Sequence, residues 1–320
     1  GVDKIKGIGG SIELASAFAD NITRTFGYVE PPVEGLLRAF RLPATHQVPP
    51  AWVTDDANFY LQLNWSGPRF YNALADFFDS YQGSGAFRAF VGSGRLPNSE
   101  VTFEDCLKQM TGPVHVVATF PKAAGDLFKQ PAIVAIGVAD ANKASEVLRS
   151  VATSAGAKIE SQKGAAIYTM RLGLPESGPA IDVAMSVVEG SLMISTNPRY
   201  LETVLASRGE KHPLARSNPY KQATGDFPEK TSMLSYQRQD RRFEGLYETI
   251  RDEKFQLSLY GGLMTGLGVD FSKLPPARAI RGYLQTSSSF VEPAEKGFRM
   301  IEIGYRPLKP KSQPPSRGYE

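Results

Sequence analysis

One pattern recurs in this chain at a nearly constant distance, and it limits the fold more than any other feature. A run of β-branched and aromatic residues followed by an amphipathic stretch occupies Phe59 to Phe78 and returns at Met233 to Ile250, an offset of 233 − 59 = 174 residues. A second strand-like run at Val114 returns at Ser287, an offset of 287 − 114 = 173. Offsets that agree this closely are what a duplication predicts, because a copied unit cannot cover its own apolar face and relies on its neighbour. A smaller unit occurs three times: a short amphipathic stretch, a small-residue break, a strand, a polar loop and another strand. Its instances are Lys4 to Val29, Phe103 through Thr111-Gly112 to Val138, and Ala277 through Gln285 to Tyr305.

The clearest strands are Asn58 to Asn64, Val114 to Phe120, Ile133 to Val138, Ala166 to Arg171, Asp182 to Val188 and Ser191 to Thr196, with Ser232 to Gln237, Ser287 to Glu292 and Phe298 to Tyr305 as further candidates. They are rich in Val, Ile and Tyr and end at Gly, Pro or Asn. Glu189-Gly190 is a two-residue hairpin turn, since Gly accepts the positive φ such turns require. Helices fall between the strands. Phe70, Leu74, Phe77, Phe78 and Tyr81 recur at spacings of three and four, which predicts a helix over 69–81 with one aromatic face. Asn142 to Ser154 follows the same rhythm behind Asp140 as N-cap, and Asn197 caps a helix that starts at Pro198. Asp240 to Arg251 and Pro276 to Tyr283 complete the set. The class is therefore α+β: duplicated helix-plus-antiparallel-hairpin units forming one or two mixed, mainly antiparallel sheets covered by helices.

The expected organisation has four parts. Residues 1–50 are the closing hairpin of a truncated upstream copy plus a linker, the linker being Pro43 to Pro50 with Trp52 anchored on a core just after it. Residues 51–215 form a first α/β repeat domain, 216–306 a shorter second one, and 307–320 a Pro- and Lys-rich tail without apolar periodicity. The start at Gly1, with no initiator Met or signal-peptide pattern, marks the chain as a piece of a longer precursor.

Composition removes several function classes. The excess of 36 Lys and Arg over 33 Asp and Glu is dispersed instead of gathered into a phosphate-binding stripe, so no nucleic acid is expected as a partner. Gly, Pro and charges interrupt every apolar run short of a membrane-spanning helix, which leaves only peripheral membrane contact. The single Cys106 cannot form an intrachain disulfide, and neighbouring Glu104 and Asp105 would raise its pKa.

The chemistry of catalysis has no obvious carrier. His46, His115 and His212 are far apart, and neither HExxH nor paired CxxC occurs, so no metal or other cofactor is expected. His115 lies in an apolar strand and reads as a hydrogen-bonded core histidine. No G-x-S-x-G elbow is present. Gly7-Ile8-Gly9-Gly10 matches neither the dinucleotide fingerprint nor the P-loop and reads as a turn before a strand. The carboxylate pairs Asp55-Asp56, Glu104-Asp105 and Asp252-Glu253 do not face one another at such spacing. Arg238, Arg241 and Arg242 have Asp240, Glu244 and Glu248 as neutralising neighbours, giving a solvated mixed-charge face. One stretch stands out as a contact surface: the glycine-interrupted apolar run Phe255 to Phe271, with Leu259, Tyr260, Leu263, Met264 and Leu267 as candidate partner-contact residues. Burial between two helices is the preferred reading of that run, and contact with a partner the functional one.

Four segments carry a resemblance. Pro50 to Val53 with Tyr60 to Trp65, Met110 to Val117, Val188 to Thr196 and Lys230 to Gln237 resemble a family of long, exported, repeat-containing α/β proteins of planctomycete-type bacteria, a domain without an assigned function. The resemblance covers most of the chain from Gly1 to Tyr305. It implies a repeated α/β domain, an export signal upstream of Gly1 and residence in the periplasm or cell envelope, and it transfers no catalytic residue.

The functional expectation is a non-enzymatic cell-envelope structural or interaction module, a processed part of a longer protein, whose partner is another protein or the upstream part of the same precursor. The alternative is a binding protein for a lipid or other small apolar ligand, held between the sheet and the aromatic helix from Phe70 to Tyr81.

Overall fold

Period-two apolar patterning becomes antiparallel sheet throughout. The structure is a computed structural model that describes residues 2–95, 102–119, 131–172, 181–209, 212–251, 273–275, 279, 284 and 286–306. The strands are β1 (Ile5–Leu14), β2 (Ala19–Val29), β3 (Thr45–His46), β4 (Phe59–Leu63), β5 (Met110–Ala118), β6 (Ala132–Val138) and β7 (Lys158–Gln162). They continue with β8 (Ala165–Leu172), β9 (Ile181–Val188), β10 (Ser191–Ser195), β11 (Lys230–Thr231), β12 (Met233–Arg238), β13 (Thr286–Ala294) and β14 (Gly297–Tyr305). The helices are α1 (Gly67–Gln82), α2 (Ala86–Ser93), α3 (Phe103–Gln109), α4 (Ala141–Ser154), α5 (Pro198–Ala206), α6 (Asn218–Thr224) and α7 (Gln239–Arg251).

Twelve strands form one open sheet in the order β1-β2-β14-β13-β12-β4-β5-β6-β10-β9-β8-β7, and β3 pairs with β11 apart from it. The fold is α+β, and every pairing among the described residues is antiparallel. Tight hairpins dictate this. At the β9–β10 turn Glu189 takes φ 50 and Gly190 φ 71, the positive pair that matches strand twist.

The two faces carry different helices. On one face α5 and α6 bring Leu201, Leu205, Tyr220 and Ala223 onto Ile133, Met193, Leu234 and Tyr236, a core that runs across both halves of the sheet and includes Trp52, 1% exposed. The other face holds α4, whose Leu148 and Ala152 cover Tyr168, Met170, Met185 and Val187. A separate cluster of Tyr71, Ala75, Phe87 and Val91 joins α1 to α2. Caps stop these helices where the sequence placed them. Asp140 accepts from the amides of Asn142 and Lys143, and Asn197 from that of Tyr200.

Two local expectations are corrected. Gly7-Ile8-Gly9-Gly10 is not a turn; it lies inside β1, in continuous register with Tyr28 to Thr25. The face α1 buries is centred on Tyr71 and Ala75, with Leu74 and Phe78 packed beside them, whereas Phe77 and Tyr81 are 40% and 75% exposed. Phe87 of α2 packs against Tyr71 and Phe78 at centroid distances of 5.4 and 5.8 Å.

The repeated spacing appears as strand register. β4 and β12 are adjacent at mid-sheet, with Leu61 paired to Ser235. Beyond them Phe59 opposes Ala118 and Met233 opposes Val291, so strands β4 and β5 stand to each other as β12 and β13 do, at offsets of 233 − 59 = 174 and 291 − 118 = 173. The N-terminal hairpin β1–β2 pairs onto β14 in this same sheet. Apart from residue 279, the Pro276 to Tyr283 helix lies outside the described residues, as does the 307–320 tail.

Candidate interaction surface at the β1 edge

Glycines at positions 7, 9 and 10 give β1 little side-chain bulk, and every one of its ten residues is exposed. Ala15 donates its amide to the carbonyl of Asp20 at 2.8 Å, and the register with β2 is unbroken from Gly7 to Leu14. In an antiparallel pair alternate residues share their hydrogen bonds with one neighbour. The odd residues of β1 therefore bond to β2, and the amides of Ile8, Gly10, Ile12 and Leu14 point away from the sheet. These four also share a face. Ile8, Ile12 and Leu14 are 70%, 67% and 73% exposed, an apolar stripe beside a row of backbone donors and acceptors that has no partner among the described residues.

The opposite edge of the sheet is built differently. β7 has five residues, and its Lys158 and Glu160 form an ion pair on the strand itself. Short length and charge are the usual protection of an edge. The charges of β1 turn inward along the sheet instead, Lys6 to Glu30 at 3.2 Å and Glu13 to Arg24 at 3.0 Å, both pairs reaching toward β2 or its exit.

Beside the stripe is a cleft of about 490 Å3. One wall is sheet, with Ile8, Val29, Val291 and Phe298, and the other is the segment that leaves β2, with Val33, Leu37, Phe40 and Leu42. The Phe298 ring lies over Gly27, where any Cβ would overlap it, so glycine is what lets the ring form the floor. Arg38 fastens the far wall to α1 through Asp76 at 2.7 Å, and Ser232 donates its hydroxyl to the carbonyl of Leu42 at 2.8 Å. Phe40 is 72% exposed at the rim. Apolar walls and few polar groups suit an apolar occupant.

No family model matches the chain, and no curated protein or solved structure matches it significantly. Function must then be argued from geometry alone.

The candidates named from sequence resolve as follows. Leu259, Tyr260, Leu263, Met264 and Leu267 lie outside the described residues. His115 is buried at 5% exposure between Trp52 and Tyr60, and its Nδ1 is 3.0 Å from the Tyr60 hydroxyl, which donates to Gln62 Oε1 at 2.9 Å. Burial lowers its pKa to about 4, so the imidazole is neutral at pH 7. Burial likewise raises the Tyr60 hydroxyl. Cys106 sits on α3 with its pKa raised, first by burial and then by Asp105. That carboxylate closes a capping box with Thr102. The arginines are engaged: Arg238 makes two hydrogen bonds to Asp240 at 2.9 and 2.7 Å, and Arg241 donates to Asn58 at 3.2 Å. No group of three or more metal-ligating side chains occurs among the described residues. No helix there is long and apolar enough to cross a membrane.

Sequence reasoning placed Ile5, Ile8, Ile12 and Leu14 only within the repeat instance Lys4 to Val29 and singled none of them out as a contact residue. The available signal was three β-branched residues interleaved with glycine, which suits a strand with one partner strand among the described residues.

Proposed function

We propose that this protein is an interaction module that takes up an extended, apolar polypeptide segment along β1, in the manner of strand addition. The observation that carries the reading is the ten-residue edge whose outward amides and exposed Ile8, Ile12 and Leu14 have no partner among the described residues. The cleft next to Ile8 provides a pocket for side chains of the added strand. Placement in the cell envelope, as part of a longer protein, belongs to the same proposal and rests on the resemblance.

A peptide copying Ala165–Leu172 tests it, since that strand already pairs with a strand of this sheet. Titrated into the 15N-labelled chain, it is expected to shift and slow the amides of Gly10, Ile12 and Leu14, and Ile12→Lys is expected to abolish the effect. Unchanged amides at saturating peptide would sink the reading.

The cleft supports a second reading, a site for a small apolar ligand, because its volume lies within the range of such pockets. Dodecanoate retained in native mass spectra and lost with Ile8→Lys, together with no peptide effect, would favour it over strand addition.

A further inference from the structure

We infer that the partner at the β1 edge is not a bare strand but a helix followed by a β-hairpin, equivalent to α4–β7–β8, supplied by another polypeptide segment. This rests on the strand-addition reading and names what is added.

The argument is one of register. β6 holds toward β10 nearly the place that β14 holds toward β2, and β9 follows β10 as β1 follows β2 in the sheet order. Met185 opposes Ile194 and Val187 opposes Leu192, while Ile12 opposes Thr23 and Leu14 opposes Asn21. Following the pairings outward from β5 and β13 aligns Leu192 with Asn21 and Ile194 with Thr23, both at an offset of 171 (192 − 21, 194 − 23). Met185 then corresponds to Ile12 and Val187 to Leu14, both at 173 (185 − 12, 187 − 14). The correspondence extends from backbone to chemistry. Met185 and Val187 are the β9 residues on which α4 packs, and Ile12 and Leu14 are the β1 residues left bare on the equivalent face.

What the first half has at that place is equally defined. β8 pairs antiparallel with β9, setting Tyr168 opposite Met185, and β7 continues the sheet beyond it. Leu148 and Ala152 of α4 then lie across Tyr168 and Met185. Among the described residues nothing stands at the corresponding place beside β1. A hairpin with a large apolar residue opposite Ile12, led by an amphipathic helix, would bury both Ile12 and Leu14 and pair the four outward amides. A lone strand would satisfy the amides and leave that face open.

The test grafts the segment onto the whole chain. Residues 141–180, carrying α4, β7, β8 and the link into β9, are joined ahead of Gly1, so that they precede β1 in the chain order in which they precede β9, through a link seven residues longer. Amide exchange is read for Gly10, Ile12 and Leu14, together with the effect of Ile12→Ala on the melting temperature. Exchange slowed by more than about tenfold, with an Ile12→Ala effect that appears only in the graft, is the expected result. A second graft of residues 165–180, lacking α4 and β7, should slow the amides while leaving Ile12→Ala silent. If both grafts behave alike, the helix–hairpin partner is overturned and the strand site survives. If neither protects the amides and the free peptide also fails, both proposals fall.

Discussion

The two halves of the sheet begin alike and end differently. From the centre outward, β4, β5 and β6 on one side and β12, β13 and β14 on the other have matching register, and each side continues into a hairpin, β10–β9 or β2–β1. The first half then adds β8 and β7 and lays α4 over Met185 and Val187. Among the described residues the second half stops at β1, whose Ile12 and Leu14 are about two-thirds exposed or more. Each place carries an apolar residue, and among the described residues only its cover differs. The opposite edge strand β7 also has an apolar residue on that face, Ile159 at 55% exposure, but a single one between Lys158 and Glu160.

The largest expected effect concerns a feature that the first half alone possesses. His115 on β5 is buried beside Tyr60, and the register places Ser288 of β13 at the matching position, bonded to the carbonyl of Ala223 at 2.6 Å. Unfolded, the imidazole takes up a proton below its ordinary pKa of 6.5; folded, not until about 4. Between those values the unfolded state holds more protons, so stability is full above pH 6.5, falls as the pH drops and levels off below 4. The loss amounts to about 3 kcal/mol. Urea melts at pH 7 and 4.5 measure it, and His115→Ser, which copies the second half, should flatten the slope over that window. An unchanged slope would mean that the acid sensitivity comes from elsewhere.

Next is Met185→Ala. It removes a side chain packed under α4 and should cost about 2 kcal/mol, the lower end for a core methionine because it is only partly buried. A cost below about 0.5 kcal/mol would mean that α4 is not held by this contact, and the contrast between halves would lose its energetic meaning. Smaller still is Asn197→Ala. The first half leaves β10 through a helix whose cap accepts from the Tyr200 amide at 3.1 Å, whereas the second leaves β2 through a 3-10 turn, Gly35–Phe40, whose N-cap Glu34 makes no such bond. Loss of the Asn197 side chain should cost about 1 kcal/mol by thermal melt, and Glu34→Ala close to nothing.

How far these features could be read from sequence follows from what builds them. Strands β4, β6, β8, β9 and β10 were legible because Val, Ile and Tyr recur in short runs closed by turn residues, and the Glu189-Gly190 turn because few sequences tolerate its φ. β1 was misread at Gly7 to Gly10 because strand propensity measures packing, and this strand packs on one neighbour only. The aromatic stripe on α1 misled for a related reason. Its helix periodicity was right, but the smaller face of Tyr71 and Ala75 meets α2, while Phe77 and Tyr81 face out. β7 has only Ile159 between Lys158 and Glu160, too little apolar patterning to mark a strand. The cleft brings together β1, the 31–42 segment and the β13–β14 turn, and no local pattern announces a wall made of three distant pieces.

The smallest expected effect decides most. Ile12→Ala in the chain alone should change stability by no more than about 0.5 kcal/mol, because a side chain 67% exposed loses little contact on truncation. Its counterpart Met185 should cost several times more, although both sit at the same place in the same kind of hairpin. Thermal melts of the two variants at one pH make the comparison directly. A substantial loss at Ile12 would show that β1 is already covered within its own chain or by a second copy, and dilution separates those cases, since cover by a second copy weakens as the protein is diluted. A negligible loss leaves a large β-branched residue that contributes nothing to the fold it belongs to. A contact with another polypeptide, on the face where the first half places α4, would then be what gives that side chain a role.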